Sequence, residues 1–141
     1  MESIIIKTAI TLSGFFTGLI WFVQIVHYPL FLEIKPEKFT DYEQKHTKRT
    51  GLLVAPTMVA ELIFGIGFWY YAPSTIWNHL ALVLLLLVWA STFLIQVPLH
   101  NQLAQKRNET LIKKLIQSNW VRTICWTLRL ILMFVIIGVD V

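Results

Sequence analysis

The sequence predicts an all-α integral membrane protein, folded as an up-down-up-down bundle of four helices. The 141 residues are 56% hydrophobic and 14% charged, with a mean hydropathy of +0.64, whereas soluble domains carry roughly 25% charged residues. Four apolar segments, residues 4–32, 52–71, 76–99 and 120–139, each meet the requirement of roughly 20 residues for a spanning helix. Short connections favour antiparallel neighbours, so we expect residues 1–141 to form one four-helix domain.

The first two helices are separated by a short polar connection. The N-terminus lacks the charged start and the cleavage site of a secretory signal, so we expect the first segment to be retained as a span. Pro36 is well placed to begin the second helix, because a proline at the first helical position loses no backbone hydrogen bond. Residues 37–50 are polar but helical in propensity, and we expect them to extend the second helix into the cytoplasm. Pro56 is expected to kink this helix.

The connections in the second half of the chain are also short. Residues 72–75 form a turn in which Ser74 or Thr75 is expected to cap the third helix, because a hydroxyl oxygen accepts the first free backbone N–H groups. Residues 101–108 are polar, and residues 109–117 are expected to lead as a helix into the fourth span.

Basic residues are concentrated on one side of this bundle, with five around the first connection and four around the third. The opposite side has only Lys7. By the positive-inside rule, we expect the basic side to be cytoplasmic and both termini to lie outside. Contact with anionic lipid headgroups explains these charges without a nucleic-acid partner. The nine residues are Lys35, Lys38, Lys45, Lys48, Arg49, Lys106, Arg107, Lys113 and Lys114.

Polar side chains on all four helices are spaced so that they converge on one layer near the cytoplasmic side. At about 100° per residue, they fall on one face of each helix. Because a charge in hydrocarbon is costly, we expect these faces to turn inward and to form a polar chamber. The candidate catalytic residues of the chamber are His27, His46, His100, Arg49 and Arg122. Further residues of its lining are Gln24, Gln96, Asn119 and Trp126.

A second polar layer is predicted near the bilayer midplane, where Glu61 and Arg129 complete the chamber. Glu61 lies ten residues before Tyr71, about 15 Å along the helix, and Arg129 lies ten residues before Val139. Both reach a similar depth, so we expect them to form an ion pair. The pair is either part of the function, as intramembrane charges commonly are, or a lock between the second and fourth helices.

The three histidines admit two functional interpretations. His27, His46 and His100 could bind one transition-metal ion, copper, iron or zinc, with an open position for a substrate. Alternatively, they bind an anionic or phenolic headgroup together with Arg49 and Arg122, and move its proton. Taken singly, each histidine is better explained as an interfacial residue that bonds to a neighbouring helix or headgroup.

Two short motifs resemble a known family. Residues 97–103, Val-Pro-Leu-His-Asn-Gln-Leu, and residues 119–123, Asn-Trp-Val-Arg-Thr, are similar to the pattern PL-(N/H)-x-x-L … N-x-x-R-T of small four-span membrane proteins that include the fungal anthrone oxygenases. The first helix matches more loosely, through Tyr28 and Pro29. The resemblance implies oxidation of a phenolic or polycyclic substrate with dioxygen. It also implies a site lined by His100, Asn101, Asn119, Arg122 and Thr123.

We therefore expect a membrane-embedded, oxygenase-like oxidoreductase that acts on a hydrophobic phenolic or quinone-like molecule entering from the bilayer. The alternative is a non-enzymatic membrane protein that binds or transports a lipid, quinone, metal or small anion; a third hypothesis is a purely structural subunit. The outer half of the bundle is apolar, which favours a one-sided site over a channel. Gly14 and Gly18 suit close helix contact, either inside the bundle or in a homodimer. Most members of the resembled family are bacterial, so the expected location is a bacterial inner membrane.

Overall fold

The computed structural model describes residues 1–138, and every regular element in that range is a helix. In chain order the elements are α1 (Glu2–Phe22), a first π-helical turn (Val23–His27), a 3₁₀-helix (Pro29–Glu33), α2 (Pro36–Tyr71), α3 (Ile76–Ser91), a second π-helical turn (Thr92–Gln96), α4 (Val97–Leu103) and α5 (Glu109–Gly138). The first span runs to Glu33, α2 is the second, the third comprises α3 to α4, and α5 is the fourth. Val139, the predicted end of the fourth span, lies outside the described residues.

Each of the four spans is long and apolar enough to cross a bilayer, which confirms the predicted membrane protein. The first span packs against the second and the fourth, and the third packs most extensively against the fourth. The second and third spans are in looser contact. The spans therefore form the predicted up-down-up-down bundle, with its weakest seam between α2 and α3.

Two predicted helix starts are confirmed. Pro36 lies in the first turn of α2, and the side-chain oxygen of Thr75 accepts the backbone N–H of Asn78 at 3.2 Å. The 36 residues of α2 span about 54 Å, against a hydrocarbon core of about 30 Å. This helix therefore projects beyond the bilayer, as predicted. Pro56 lies inside α2, where it deprives the carbonyl of Leu52 of its usual helical donor, and this is the position of the expected kink.

The two π-helical turns were not anticipated by helical periodicity, and each lies just ahead of a proline. The first precedes Pro29 and the second precedes Pro98. A proline ring clashes with the carbonyl four residues earlier, and a wider π turn displaces that carbonyl. In the first turn, the backbone N–H of Tyr28 donates to the carbonyl of Val23, five residues back, at 3.0 Å. Such turns inside helices are frequent at functional sites.

The apolar interior is arranged in three layers along the bundle. Close packing rather than escape from water holds these layers together, because lipid is as apolar as the side chains. The outer layer includes Phe68 and Met133, and in the middle layer Phe16 stacks on Trp126 with ring centroids 5.0 Å apart. The third layer includes Phe39 of the projecting part of α2. It lies at the end with the nine basic residues, which we call the basic end.

Glycines at three positions differ in what surrounds them. An added Cβ at Gly14 or Gly18 would meet no atom within 4 Å, so neither glycine is needed for close packing inside the bundle. Their role in a homodimer stays a prediction. An added Cβ at Gly65 would lie 2.5 Å from Cδ2 of Leu85 and 2.8 Å from Nη2 of Arg129. Gly65 therefore allows the fourth span to bring Arg129 against α2.

Candidate functional site

A cavity of about 420 Å³ lies between the second and third spans. On α2 its lining extends from His46 to Val59, about 20 Å of helix. The lining is polar near His46 and apolar towards Val59. Three apolar lining residues, Val59, Phe93 and Val97, are 48%, 56% and 39% exposed on the outer surface of the bundle. The cavity therefore opens sideways, towards lipid, and its volume lies in the range of about 300–1,000 Å³ that small-molecule sites occupy.

The three predicted histidines meet at the polar end of this cavity and all line it. Nε2 of His27 is 3.2 Å from Nδ1 of His46, and the ring centroids of His46 and His100 are 5.5 Å apart. They come from the first π-helical turn, α2 and α4.

A chain of hydrogen bonds passes through His100. Its Nδ1 is 2.5 Å from Oε1 of Glu43, and its Nε2 is 2.9 Å from the hydroxyl oxygen of Tyr28. Glu43 is fully buried and Tyr28 is 5% exposed. Both contacts are satisfied when Nδ1–H donates to the carboxylate and Nε2 accepts the Tyr28 O–H. In this arrangement the carboxylate orients the imidazole, and the imidazole can take the proton of the hydroxyl group.

Arg122 lies beside Tyr28 on the cavity wall. Its Nη2 donates to the Tyr28 hydroxyl oxygen at 3.2 Å, and its Nε donates to Oδ1 of Asn119 at 3.0 Å. Its Nη1 is 3.5 Å from Oγ1 of Thr92, at the limit of a hydrogen bond. Arg122 is 7% exposed and forms no ion pair with any of residues 1–138. A buried guanidinium without a carboxylate is costly, so an electron-rich oxygen in the cavity would stabilise it.

Three predicted chamber residues lie behind the cavity instead of lining it. Gln24 accepts hydrogen bonds from Nδ2 of Asn119 at 2.8 Å and from the hydroxyl of Thr123 at 3.4 Å. It also donates to the carbonyl of Ile116 at 3.1 Å. Polar groups buried between helices satisfy one another, which removes these three side chains from the cavity surface. Gln24 therefore holds Asn119 in place, and Asn119 in turn holds Arg122.

The two predicted chamber residues of the third span, Gln96 and Asn101, do line the cavity. Gln96 accepts a hydrogen bond from Oγ of Ser91 at 2.9 Å and donates to Oγ of Ser118 at 3.2 Å. Asn101 is exposed at the rim, on the side of the basic end. Gln96 lies in the second π-helical turn and Gln24 lies in the first, so both turns direct an amide towards the fourth span.

Glu61 and Arg129 form the predicted ion pair, with Nη1 of Arg129 2.9 Å from Oε1 of Glu61. The indole N–H of Trp126 also donates to this carboxylate, 3.0 Å from each oxygen. None of the three residues lines the cavity, so their prediction as chamber residues is corrected. They are buried between α2 and α5, below the cavity, where the carboxylate of Glu61 accepts hydrogen bonds from both Arg129 and Trp126. Nε of Arg129 has no hydrogen-bond partner among residues 1–138.

Arg49, predicted as a catalytic residue, is exposed and lies outside the cavity. Thr50, the next residue, lines the cavity. At about 100° per residue, Arg49 lies about 60° from His46 around the helix axis, on the opposite side from Thr50. Its guanidinium therefore belongs to the charged surface of the basic end. Among residues 1–138, Arg122 is the arginine that lines the cavity.

The set of residues that could hold a metal ion also differs from the predicted one. Ligand atoms of Glu43, His46 and His100 lie within 4.8 Å of one another, and His27 is not part of this group. Glu43 was overlooked because residues 37–50 have the composition of a solvated extension. The sequence did carry a signal for it, because the Glu-x-x-His spacing of residues 43–46 places both side chains on one helix face.

Comparison with protein-family models, curated proteins and solved structures finds no match for the chain. The resemblance to the anthrone oxygenases therefore stays a prediction. The fold and the cavity define a class: a membrane protein of four helices with a cavity that is open to lipid and polar at one end.

Proposed function

We propose that this protein is a membrane-embedded oxidoreductase that acts on a phenolic or quinone-like molecule, which enters the cavity from the bilayer. The observation that carries the proposal is Arg122, a buried guanidinium on the cavity wall with no carboxylate partner among residues 1–138. Its N–H groups select an electron-rich oxygen, and the apolar remainder of the cavity selects a hydrophobic ring system. We further propose, from the positive-inside rule, that the polar end faces the cytoplasm and that both termini lie outside. That the membrane is a bacterial inner membrane is what the resemblance to the anthrone oxygenase family implies.

The residues beside Arg122 suit proton transfer to and from such an oxygen. Tyr28 is hydrogen-bonded to both Arg122 and His100, and Glu43 holds His100 from behind. Tyr28 takes the proton of the ligand while His100 takes the hydroxyl proton of Tyr28. Arg122 then stabilises the anion that forms, as a preorganised donor in a site from which most water is excluded.

Dioxygen is the oxidant in this proposal. Removal of a proton from an activated ring gives an enolate or phenolate, which donates electrons to dioxygen. A ring methylene is converted to a carbonyl according to CH₂ + O₂ → C=O + H₂O. One oxygen atom enters the carbonyl group and the other leaves in water. The apolar part of the cavity admits dioxygen by the route that admits the ring.

The test compares Arg122→Gln with Arg49→Gln, a matched control whose arginine lies outside the cavity. The probes are menadione, naphthol and anthrone, added to protein in lipid nanodiscs. Binding is followed by quenching of tryptophan fluorescence, because Trp89 lines the cavity. We expect Arg122→Gln to weaken binding by about 10- to 100-fold, the loss of a charged hydrogen bond, and Arg49→Gln to leave it unchanged. We also expect wild type to take up one dioxygen per anthrone oxidised.

Two results would count against the proposal. If none of the probes binds, or if Arg122→Gln binds them as wild type does, the assignment of the site is wrong. If the probes bind in an Arg122-dependent way but no dioxygen is taken up, the assignment of an oxidoreductase activity is wrong. A second candidate function then replaces it. That candidate is a non-enzymatic protein that binds a quinone or lipid, and the sideways opening of the cavity supports it equally.

A further inference from the structure

We propose that Glu43, His46 and His100 bind one divalent transition-metal ion of the iron-to-zinc series, and that His27 orients His46 from behind. This inference goes beyond the proposed oxidation, and it is tested separately because metal binding is measured without a substrate. A metal ion on Nδ1 of His100 leaves the imidazole proton on Nε2, so the proton transfer from Tyr28 to His100 described above belongs to the metal-free protein. It also replaces the set of three histidines that the sequence suggested.

The ligand atoms are already close to the geometry of one ion. They lie within 4.8 Å of one another, and one pair, Nδ1 of His100 and Oε1 of Glu43, is 2.5 Å apart. Ligands of a tetrahedral ion with bonds of about 2.1 Å lie about 3.4 Å apart. Binding therefore requires that the close pair separate by about 0.9 Å and that the most distant pair approach by up to about 1.4 Å, through side-chain rotation.

The carboxylate of Glu43 supplies an independent indication of a ligand. Its side chain is fully buried, and within residues 1–138 its Oε2 has no hydrogen-bond partner. A buried carboxylate oxygen left unpaired costs about 1–3 kcal/mol or more. The atom lies on the same carboxylate as Oε1, which faces His100. A cation between the carboxylate and the imidazoles would satisfy both oxygens.

Each imidazole of the proposed site has its other nitrogen engaged, as metal-binding histidines commonly do. Nε2 of His100 contacts the hydroxyl of Tyr28 at 2.9 Å. Nδ1 of His46 contacts Nε2 of His27 at 3.2 Å and Oγ1 of Thr50 at 3.2 Å, which leaves Nε2 of His46 for the metal. These contacts fix the orientation of both rings. His27 is therefore a positioning residue and not a ligand.

The donor set and its position define the kind of ion. Two imidazoles and one carboxylate suit zinc and iron(II), whereas magnesium and calcium prefer oxygen ligands throughout. His46 and His100 line the cavity, and Glu43 does not. The protein therefore occupies the buried side of the ion, and the open coordination positions face the cavity. A small molecule in the cavity could reach them.

The test is titration of purified, metal-free protein with Co²⁺, followed by visible absorption, which reports the coordination geometry. Wild type is expected to bind one Co²⁺ per chain, and Zn²⁺ is expected to displace it. We expect Glu43→Gln and His46→Ala each to lower the affinity by more than 100-fold. His27→Ala is expected to lower it by about 10- to 100-fold, as loss of an orienting residue does. His79→Ala is the matched control, since His79 is exposed at the other end of α3, where it contacts Thr75 and Trp69 and lies outside the cavity.

Far-UV circular dichroism verifies that each variant retains its helices, and the wild-type titration decides the question even if one variant unfolds. The proposal is overturned if wild type binds no Co²⁺, or if Glu43→Gln binds it as tightly as wild type. If His27→Ala lost all Co²⁺ binding while Glu43→Gln retained it, the ligands would instead be the three histidines His27, His46 and His100. Menadione binding is measured on the same metal-free protein, so a failed metal site and a failed organic site give different results.

Discussion

Replacement of Glu61 by glutamine is expected to destabilise the bundle more than replacement of its partner Arg129 by methionine. The two side chains are 0% and 2% exposed, with 2.9 Å between Oε1 and Nη1. Glu61→Gln leaves a buried guanidinium that cannot lose its proton, and we expect the free energy of unfolding to fall by about 3–5 kcal/mol. Arg129→Met leaves a carboxyl group that can become neutral and still accept from Trp126, so the expected loss is about 1–3 kcal/mol.

The assay is reversible unfolding in mixed micelles with increasing sodium dodecyl sulfate, followed by far-UV circular dichroism. The double variant removes both charges, and its loss is expected to be at least about 2 kcal/mol smaller than the sum of the single losses. Glu33→Gln is the matched control, because Glu33 is exposed, and its effect is expected to stay within about 0.5 kcal/mol. Equal losses for the two single variants, or additive losses in the double variant, would refute the reasoning from an unpaired buried charge.

Two further predictions use the same unfolding assay. Gly65→Ala is expected to cost about 1–3 kcal/mol, because its Cβ would lie 2.5 Å from Cδ2 of Leu85. Gly18→Ala, whose Cβ would meet no atom within 4 Å, is expected to be neutral or to stabilise by up to about 1 kcal/mol; similar effects at both positions would contradict this account of the packing. Trp126→Phe removes the N–H donor to Glu61 and is expected to cost about 1.5–3 kcal/mol, whereas a neutral result would show that the hydrogen bond is unimportant.

Helical spacing and depth in the bilayer predicted which residues would meet. They placed His27, His46 and His100 at one level, and the structure brings these three side chains together. The same reasoning placed Glu61 opposite Arg129. These predictions succeed because the rise per residue and the hydrophobic length of a span define the height of a side chain.

The predictions that were wrong concern the direction in which each side chain points around the axis of its helix. Glu43, His46 and Arg49 are spaced by three residues along α2, and all fit a broad polar stripe. In the structure Glu43 is buried against His100, and Arg49 is exposed. A single helix gives no means to choose between them, because the choice depends on where α4 packs.

The sequence by itself determined that four helices cross a bilayer and that polar groups gather at one level. It also determined that the second span begins near Pro36 and the third near Thr75. Composition, helix capping and rise per residue suffice for these features, because each acts within one segment. Only the tertiary structure decided the two π-helical turns, the cavity between the second and third spans, and the contact of Glu43 with His100. Each of these depends on how separate helices rotate and pack against one another, which no spacing within a single helix specifies.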